Sequence, residues 1–168
     1  SRICVLMTDS SSYGLSSAVL TVLMRVTARL AAEGTSSSAQ VVQGIQEELL
    51  STLSEKDQLS LFFGNFSRKD WKLNYISIGT PLFFYGAPGI PFLALPSQDI
   101  ALSRSHLLQA LQEQELEIQP GSRLALLSDG FLDTIGSADK MCRFLDQYRE
   151  QESKDTLNEL LFQVKKDF

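Results

Sequence analysis

The chain has 168 residues, with 15 basic and 20 acidic side chains and a formal net charge of −5. A chain of this length is most simply one domain with a substantial core, so residues 1–168 are predicted to form a single domain. The acidic balance and the absence of a basic stripe argue against a nucleic-acid partner or an anionic membrane surface. Because the sequence has no signal peptide and no apolar run near ~20 residues, we expect a cytoplasmic protein.

Neither the cysteines nor the single histidine predicts a catalytic site. Cys4 and Cys142 lie far apart in apolar patterns, so buried free thiols are expected rather than a disulfide. His106 lies in a polar helical stretch and has no nucleophile motif beside it. We therefore expect a surface or half-buried histidine there.

The first third of the chain is predicted to form a strand and two helices. Residues 2–8 are apolar without alternation, which predicts a fully buried strand. A polar turn at 10–13 leads into a helix over 12–33, which Gly34 ends through a left-handed backbone. Ser36 to Ser38 offer caps for a second helix at about 39–53. The apolar face predicted for the first helix consists of Leu15, Val19, Val22, Leu23, Val26 and Leu30.

The rest of the sequence predicts antiparallel strands followed by helices. Strands over 58–66 and 71–78 with a turn at 67–70 predict a hairpin, in which Trp71, Leu73, Tyr75 and Ser77 share one face. After a turn at 79–81, a strand is expected at 82–85 and short strands and turns at 86–96. Further elements are a helix at 105–115, the start of a strand at 116–118, a strand at 123–128, and helices at 137–150 and 153–166. This order favours an α+β fold over a doubly wound sheet.

Two aspartates end apolar runs at opposite ends of the chain. Asp9 ends the run 3–9, and Asp129 ends the run 123–129. If the fold brings them together, they offer the oxygen ligands that hard divalent cations prefer. Each residue alone has an ordinary alternative, because Asp9 fits a helix N-cap or a turn, Asp129-Gly130 fits a turn, and Asp133 fits a cap of the following helix.

Three blocks of the sequence, taken together, resemble the SpoIIE-type branch of the PPM (type 2C) metal-dependent serine/threonine phosphatases. The first block, VLMTDSSSYGLSSAVL at 5–20, keeps Asp9, Gly14 and the following helix. The middle block at 58–81 keeps Ser77, Gly79 and Pro81 after a strand pair. The last block, PGSRLALLSDGFLD at 120–133, keeps Pro120, Gly121, Ser128, Asp129 and Gly130, with Asp133 in place of a glutamate.

This resemblance implies a fold, a site and a reaction. The fold is a PPM-type αββα sandwich of two mainly antiparallel sheets flanked by helices. Asp9 would bridge two Mn²⁺ or Mg²⁺ ions, the backbone carbonyl of Ser10 would ligate one ion, and Asp129 would ligate the other. Ions ~3.5–4 Å apart lower the pKa of a shared water for in-line attack on phosphate, so no side-chain nucleophile is needed. Asp9 and Asp129 are therefore the catalytic candidates.

The resemblance also implies the partners. The substrate would be phospho-Ser/Thr on a bacterial regulatory protein, of the kind represented by anti-sigma-factor antagonists with a STAS domain. The expected setting is signal transduction in a bacterial cytoplasm. A homodimer is left open.

The chain departs from the family pattern at several positions. Ser12-Tyr13-Gly14 replaces Gly-His-Gly, Thr80 replaces a histidine, and Ser122 replaces an aspartate. The family's upstream acidic strand and its final strand with paired aspartates are missing, so the sequence is a fragment or this member lacks those ligands. Without them both ions would bind weakly.

Three interpretations follow from these matches and departures. The first is an active phosphatase. The second is a degenerate phosphatase fold that acts as a regulatory or binding module without metal. The third is an unrelated α+β domain.

Overall fold

The structure, a computed structural model, describes residues 2–10, 15–35, 37–49, 52–53, 57–79, 82–98, 101–103 and 111–166. At 15–17, 82 and 129 it describes the backbone alone. In chain order the elements are β1 (Arg2–Ser10), α1 (Leu15–Gly34), α2 (Ser38–Leu49), β2 (Leu59–Ser67), β3 (Lys72–Ile78), β4 (Leu82–Ala87), β5 (Ile90–Leu95), β6 (Gln114–Glu117), β7 (Arg123–Leu127), α3 (Asp129–Ile135), α4 (Ala138–Gln147) and α5 (Ser153–Lys166). None of the helices in the described ranges has the length and apolar character needed to cross a membrane.

The chain divides into two compact units, each with its own antiparallel sheet and helices. The first unit comprises Ser1–Pro81 and Ser97–Ile118, and the second comprises Leu82–Pro96 and Gln119–Phe168. The sheet of the first unit has the strand order β1-β2-β3-β6, and that of the second has the order β5-β4-β7. Two antiparallel sheets with helices confirm the predicted α+β class.

The core of the first unit lies between its helices and one face of its sheet. Helix α2 contributes Val41, Val42, Ile45 and Leu49. The sheet contributes alternate residues of β2 and β3, because successive strand side chains point to opposite faces: Leu59, Leu61, Phe63, Ile76 and Ile78. The predicted hairpin is confirmed, and on the other face Phe62 stacks on Tyr75 with ring centroids 5.7 Å apart.

Helix α1 is apolar on two sides, and the side predicted from the sequence is not the buried one. Val22 and Leu30 of the predicted face are 62% and 64% exposed, and Val19 and Val26 are exposed as well. The residues that enter the core follow a spacing of four: Leu20, Met24 and Ala28. Hydrophobic periodicity could not separate these two stripes, because each of them satisfies the helical repeat.

Strand β1 is also less buried than predicted. Its first residues are exposed and its last residues are half-buried. Among the described strands, β1 lies at the edge of its sheet and pairs only with β2. An edge strand is open to solvent on one side, so its apolar sequence does not make it fully buried. Cys4 is consequently an exposed free thiol, and Cys142 a half-buried one.

Several predicted element boundaries need correction. Gln114 begins a strand where the end of a helix over 105–115 was predicted, because β6 pairs with β3 and this pairing overrides local propensity. The beginning of that predicted helix, with His106, lies outside the described residues. Asp133 lies inside α3, a short helix that the sequence did not predict, and is not a cap. Helix α4 ends at Gln147, before the predicted end at 150.

In the second unit, an arginine joins the end of α4 to the β4–β5 hairpin. Arg149 donates hydrogen bonds to the carbonyl oxygens of Ala87 and Ile90, at 3.3 and 2.6 Å. It also pairs with Asp146 at 2.8 Å, and the Asp146 carboxylate accepts the Phe92 N–H at 3.0 Å. The planar guanidinium suits this role because it presents several donors in a fixed geometry.

We expect Arg149→Met to lower the free energy of unfolding by about 1–3 kcal/mol, because it removes charge-assisted hydrogen bonds in a partly buried setting. Urea denaturation measures this change. The matched control is Arg143→Met, which removes an exposed arginine of α4 and should change stability by less than about 0.5 kcal/mol. Equal losses in the two variants would contradict this role of Arg149.

Candidate functional site

Asp9 lies near the end of β1 and pairs with Ser60 of β2. Ser10 is the last residue of β1 and pairs with Leu59. Helix α1 begins only at Leu15, so Asp9 is a strand residue and not the N-cap of that helix. The half-buried Asp9 carboxylate and the Ser10 backbone are thus held on one side by the antiparallel pairing with β2.

The end of β3 reaches the same end of the sheet. Phe62 of β2 pairs with Ser77, and because directly opposed residues share a face, Asp9, Ser60 and Ser77 lie on one face. Gly79 follows with a φ of +68°, and a Cβ built on it would lie 2.6 Å from Ser60 Oγ. Gly79 is therefore required both for its left-handed backbone and for its close approach to β2.

The segment after β5 binds this strand end through four hydrogen bonds. The Gly79 N–H donates to the Gln98 carbonyl at 2.7 Å, and the Gln98 N–H donates to the Ser77 carbonyl at 2.9 Å. The Ser77 hydroxyl donates to Ser97 Oγ at 3.0 Å, and the Ser97 hydroxyl donates to the Gly79 carbonyl at 2.7 Å. Ser77 and Gly79, which the middle block keeps from the family pattern, thus have a structural role as anchors of residues 97–98.

The last block of the sequence places Asp129 at the junction of β7 and α3. Ser128 occupies the N-cap position of α3 without a side-chain cap hydrogen bond, and Asp129 is the first residue of the helix. The Asp129 side chain lies outside the described part of the structure. Because Asp9 belongs to the first unit and Asp129 to the second, their convergence remains a prediction.

Ser122, which stands where the family pattern has an aspartate, stabilises the turn before β7. Its hydroxyl oxygen accepts the Gln119 N–H at 3.1 Å and lies 3.3 Å from the Tyr85 hydroxyl. Gly121 in the same turn has a φ of +83°. A short side chain that accepts a nearby backbone N–H supports such a turn, so the serine provides the local bond that an aspartate would also provide.

The donors at the Asp9 end are of the type that suits Mn²⁺ or Mg²⁺. A carboxylate from Asp9 and a backbone carbonyl from Ser10 are hard oxygen ligands on adjacent residues. Within the described ranges, no group of three or more histidine, cysteine, aspartate or glutamate side chains could hold a metal ion. The donors at Asp9 and Ser10 therefore fit such an ion in their chemistry. Ser12, Tyr13 and Thr80, which differ from the family pattern, lie outside the described residues.

The fold is that of PP2C-type phosphatase domains. The SiaA-PP2C domain of Pseudomonas aeruginosa matches with a TM-score of 0.80 and 16% identity, over 97% of this chain and 72% of that chain. PstP, a serine/threonine phosphatase of Mycobacterium tuberculosis, has a catalytic domain solved with 2 manganese ions that matches with a TM-score of 0.75 and 13% identity, over 98% of this chain and 81% of that chain. At these identities the likeness concerns the fold.

The sequence places the chain more narrowly within this class. The profile of the family described as Stage II sporulation protein E (SpoIIE) matches residues 1–168, so the chain belongs to the SpoIIE family. A structure of the PP2C domain with a regulatory fragment of Bacillus subtilis SpoIIE matches with a TM-score of 0.75 and 11% identity, over 99% of this chain and 50% of that chain. The chain thus spans half the length of that structure. No curated protein sequence matches it. The interpretation as an unrelated α+β domain is wrong.

We expect Gly79→Ala to lower the free energy of unfolding by about 2–4 kcal/mol, because left-handed strain and a steric clash with Ser60 both apply. Gly89→Ala is the matched control, since Gly89 also has a positive φ, +76°, but nothing lies within 4 Å of a Cβ built there. That variant should lose only about 1 kcal/mol. Urea denaturation of both variants separates the cost of the left-handed backbone from the cost of the clash with Ser60. Equal losses of stability would mean that the clash with Ser60 contributes nothing.

Proposed function

We propose that this protein is a metal-dependent protein serine/threonine phosphatase that hydrolyses phospho-Ser/Thr on a bacterial regulatory protein. The observation that carries the proposal is the position of Asp9 and Ser10 at a paired strand end, in a chain of the SpoIIE family with a PP2C fold. Solved structures of the same fold contain manganese or magnesium.

Three residues are proposed to hold the metal. Asp9 and Asp129 contribute carboxylates, and Ser10 contributes its backbone carbonyl. Bound Mn²⁺ or Mg²⁺ ions would supply an activated water and neutralise charge on the phosphoryl oxygens. The pairing of β1 with β2 holds Asp9 and Ser10 in place, so these two donors are oriented before an ion binds.

The cysteines support a mechanism without a thiol nucleophile. Burial raises the pKa of the Cys142 thiol, so the reactive thiolate is disfavoured near neutral pH. Cys4 lies on β1 as an exposed residue, and no histidine lies near it in the sequence. An activated water is therefore the nucleophile that fits the residues of this chain.

The substrate class is proposed from other proteins that have the same fold. One matching structure contains RsbU and RsbW domains of Rv1364c from Mycobacterium tuberculosis, at 12% identity. Another comes from work on the bacterial stressosome, also at 12% identity. By analogy we propose a regulatory phosphoprotein as substrate, with the STAS-type antagonist as the first to test, and a cytoplasmic location.

Titration calorimetry with Mn²⁺ tests the metal site. Asp9→Asn and Asp129→Asn should each weaken binding at least tenfold, because each substitution removes a charged oxygen ligand, and even the loss of a residue that only supports a ligand costs about ten- to 100-fold. The matched control is Asp70→Asn, which neutralises an aspartate of the β2–β3 turn at the opposite end of the same sheet. That variant should bind Mn²⁺ like the wild type.

Hydrolysis of an aryl phosphate is measured on the same four proteins. Turnover that needs Mn²⁺ and is lost in both site variants supports the phosphatase. If wild type fails to bind Mn²⁺ at millimolar concentration, the proposal is wrong and the metal-free regulatory module becomes the better interpretation.

A further inference from the structure

We infer that Ser97 is a positioning residue that fixes the Asp9 end of β1 through Gly79 and Ser60. The effect of Ser97 on metal binding rests on the proposed function, but its effect on the position of β1 can be tested in metal-free protein. Neither Ser97 nor Ser60 is among the positions that the three blocks keep from the family pattern. All the residues involved lie in the first unit.

The first step is the chain of hydroxyl groups that runs from Ser77 to the Gly79 carbonyl. Ser77 donates to Ser97 at 3.0 Å, and Ser97 donates to the carbonyl oxygen of Gly79 at 2.7 Å. Ser77 is only 4% exposed, and both hydrogen bonds of this chain are partly buried. Hydrogen bonds in series polarise one another in such a setting, and Ser97 is the member that both accepts and donates.

The second step is the effect on Gly79. The Ser97 hydroxyl and the Gln98 carbonyl hold the two polar groups of the Gly79 peptide backbone, its C=O and its N–H, each at 2.7 Å. With both groups held, the left-handed conformation of Gly79 is selected from the several conformations that glycine allows. Ser97 therefore restrains the one residue in this segment with the most backbone freedom.

The third step leads from Gly79 to Asp9. Gly79 approaches Ser60 so closely that even a Cβ would lie 2.6 Å from the Ser60 hydroxyl oxygen. Ser60 is the direct partner of Asp9 in the β1–β2 register, and the two residues share a face of the sheet. A shift of Gly79 therefore allows Ser60 to move, and with it the strand position that holds the Asp9 carboxylate.

Amide hydrogen exchange, measured by NMR on metal-free protein, tests this connection. Ser97→Ala should speed exchange at the amides of residues 9–10 and 59–61 by about two- to tenfold, the effect of losing a hydrogen bond. Ser97→Thr keeps the hydroxyl and should restore the wild-type rates. Ser67→Ala is the matched control, because Ser67 donates to Asp70 at 2.8 Å at the opposite end of the same sheet.

Mn²⁺ affinity is the second measurement. Ser97→Ala should weaken binding by about three- to tenfold with recovery in Ser97→Thr, while Ser67→Ala leaves it unchanged. If the wild type binds no Mn²⁺, the proposed function fails, and the exchange measurement still decides the positioning role. If Ser97→Ala does not fold, Ser77→Ala replaces it, since this variant removes the first bond of the same chain of hydroxyl groups.

Two outcomes would overturn the inference. One is unchanged exchange at residues 9–10 in a folded Ser97→Ala protein. The other is a uniform rise in exchange over the whole first unit, with no recovery in Ser97→Thr, which would make Ser97 a general stabilising residue. Local acceleration that the threonine reverses supports the positioning role.

Discussion

The antiparallel register of β1, β2 and β3 is the constraint on which the candidate site depends. It brings Asp9 opposite Ser60 and Ser77 opposite Phe62, so residues from three strands share one end of one face. A slip of one residue would turn Asp9 to the opposite face, where the core of the first unit lies. That core, formed by alternate residues such as Leu61 and Ile76, therefore fixes the direction of the carboxylate as well as the stability of the sheet.

Two of the glycines that the chain keeps from its family's pattern stand where the backbone has a positive φ. Gly79 and Gly121 both have a positive φ, and each stands in a turn beside a strand of the proposed site. Ser122 differs in type from the family's residue but still accepts a backbone N–H. Ser122 thus makes a bond that an aspartate would also make, whereas the positive φ of Gly79 and Gly121 favours glycine.

The sequence predicted the strands and the long helices well, because alternation and helical periodicity reflect burial directly. It failed where two patterns competed: α1 has two apolar stripes, and periodicity could not show that Met24 rather than Val22 enters the core. At β6 the pairing with Lys72 and its neighbours in β3 begins the strand at Gln114, two residues before the start at 116 that the sequence predicted. The sequence did not identify Ser60 and Ser97 either. Serine is a common residue type, and the role of these two serines comes from contacts with residues far away in the sequence.

Asp9 is the residue that best separates an enzyme from an inactive relative of the same fold. The glycines and serines of the site serve the fold, so both an enzyme and a regulatory module need them. Aspartate is disfavoured in strands, and the pairing of β1 with β2 does not depend on a carboxylate at this position. A carboxylate at this half-buried strand position is therefore not explained by the strand pairing alone. Under the proposed function this carboxylate is a ligand for a cation, a role that a metal-free module would not need.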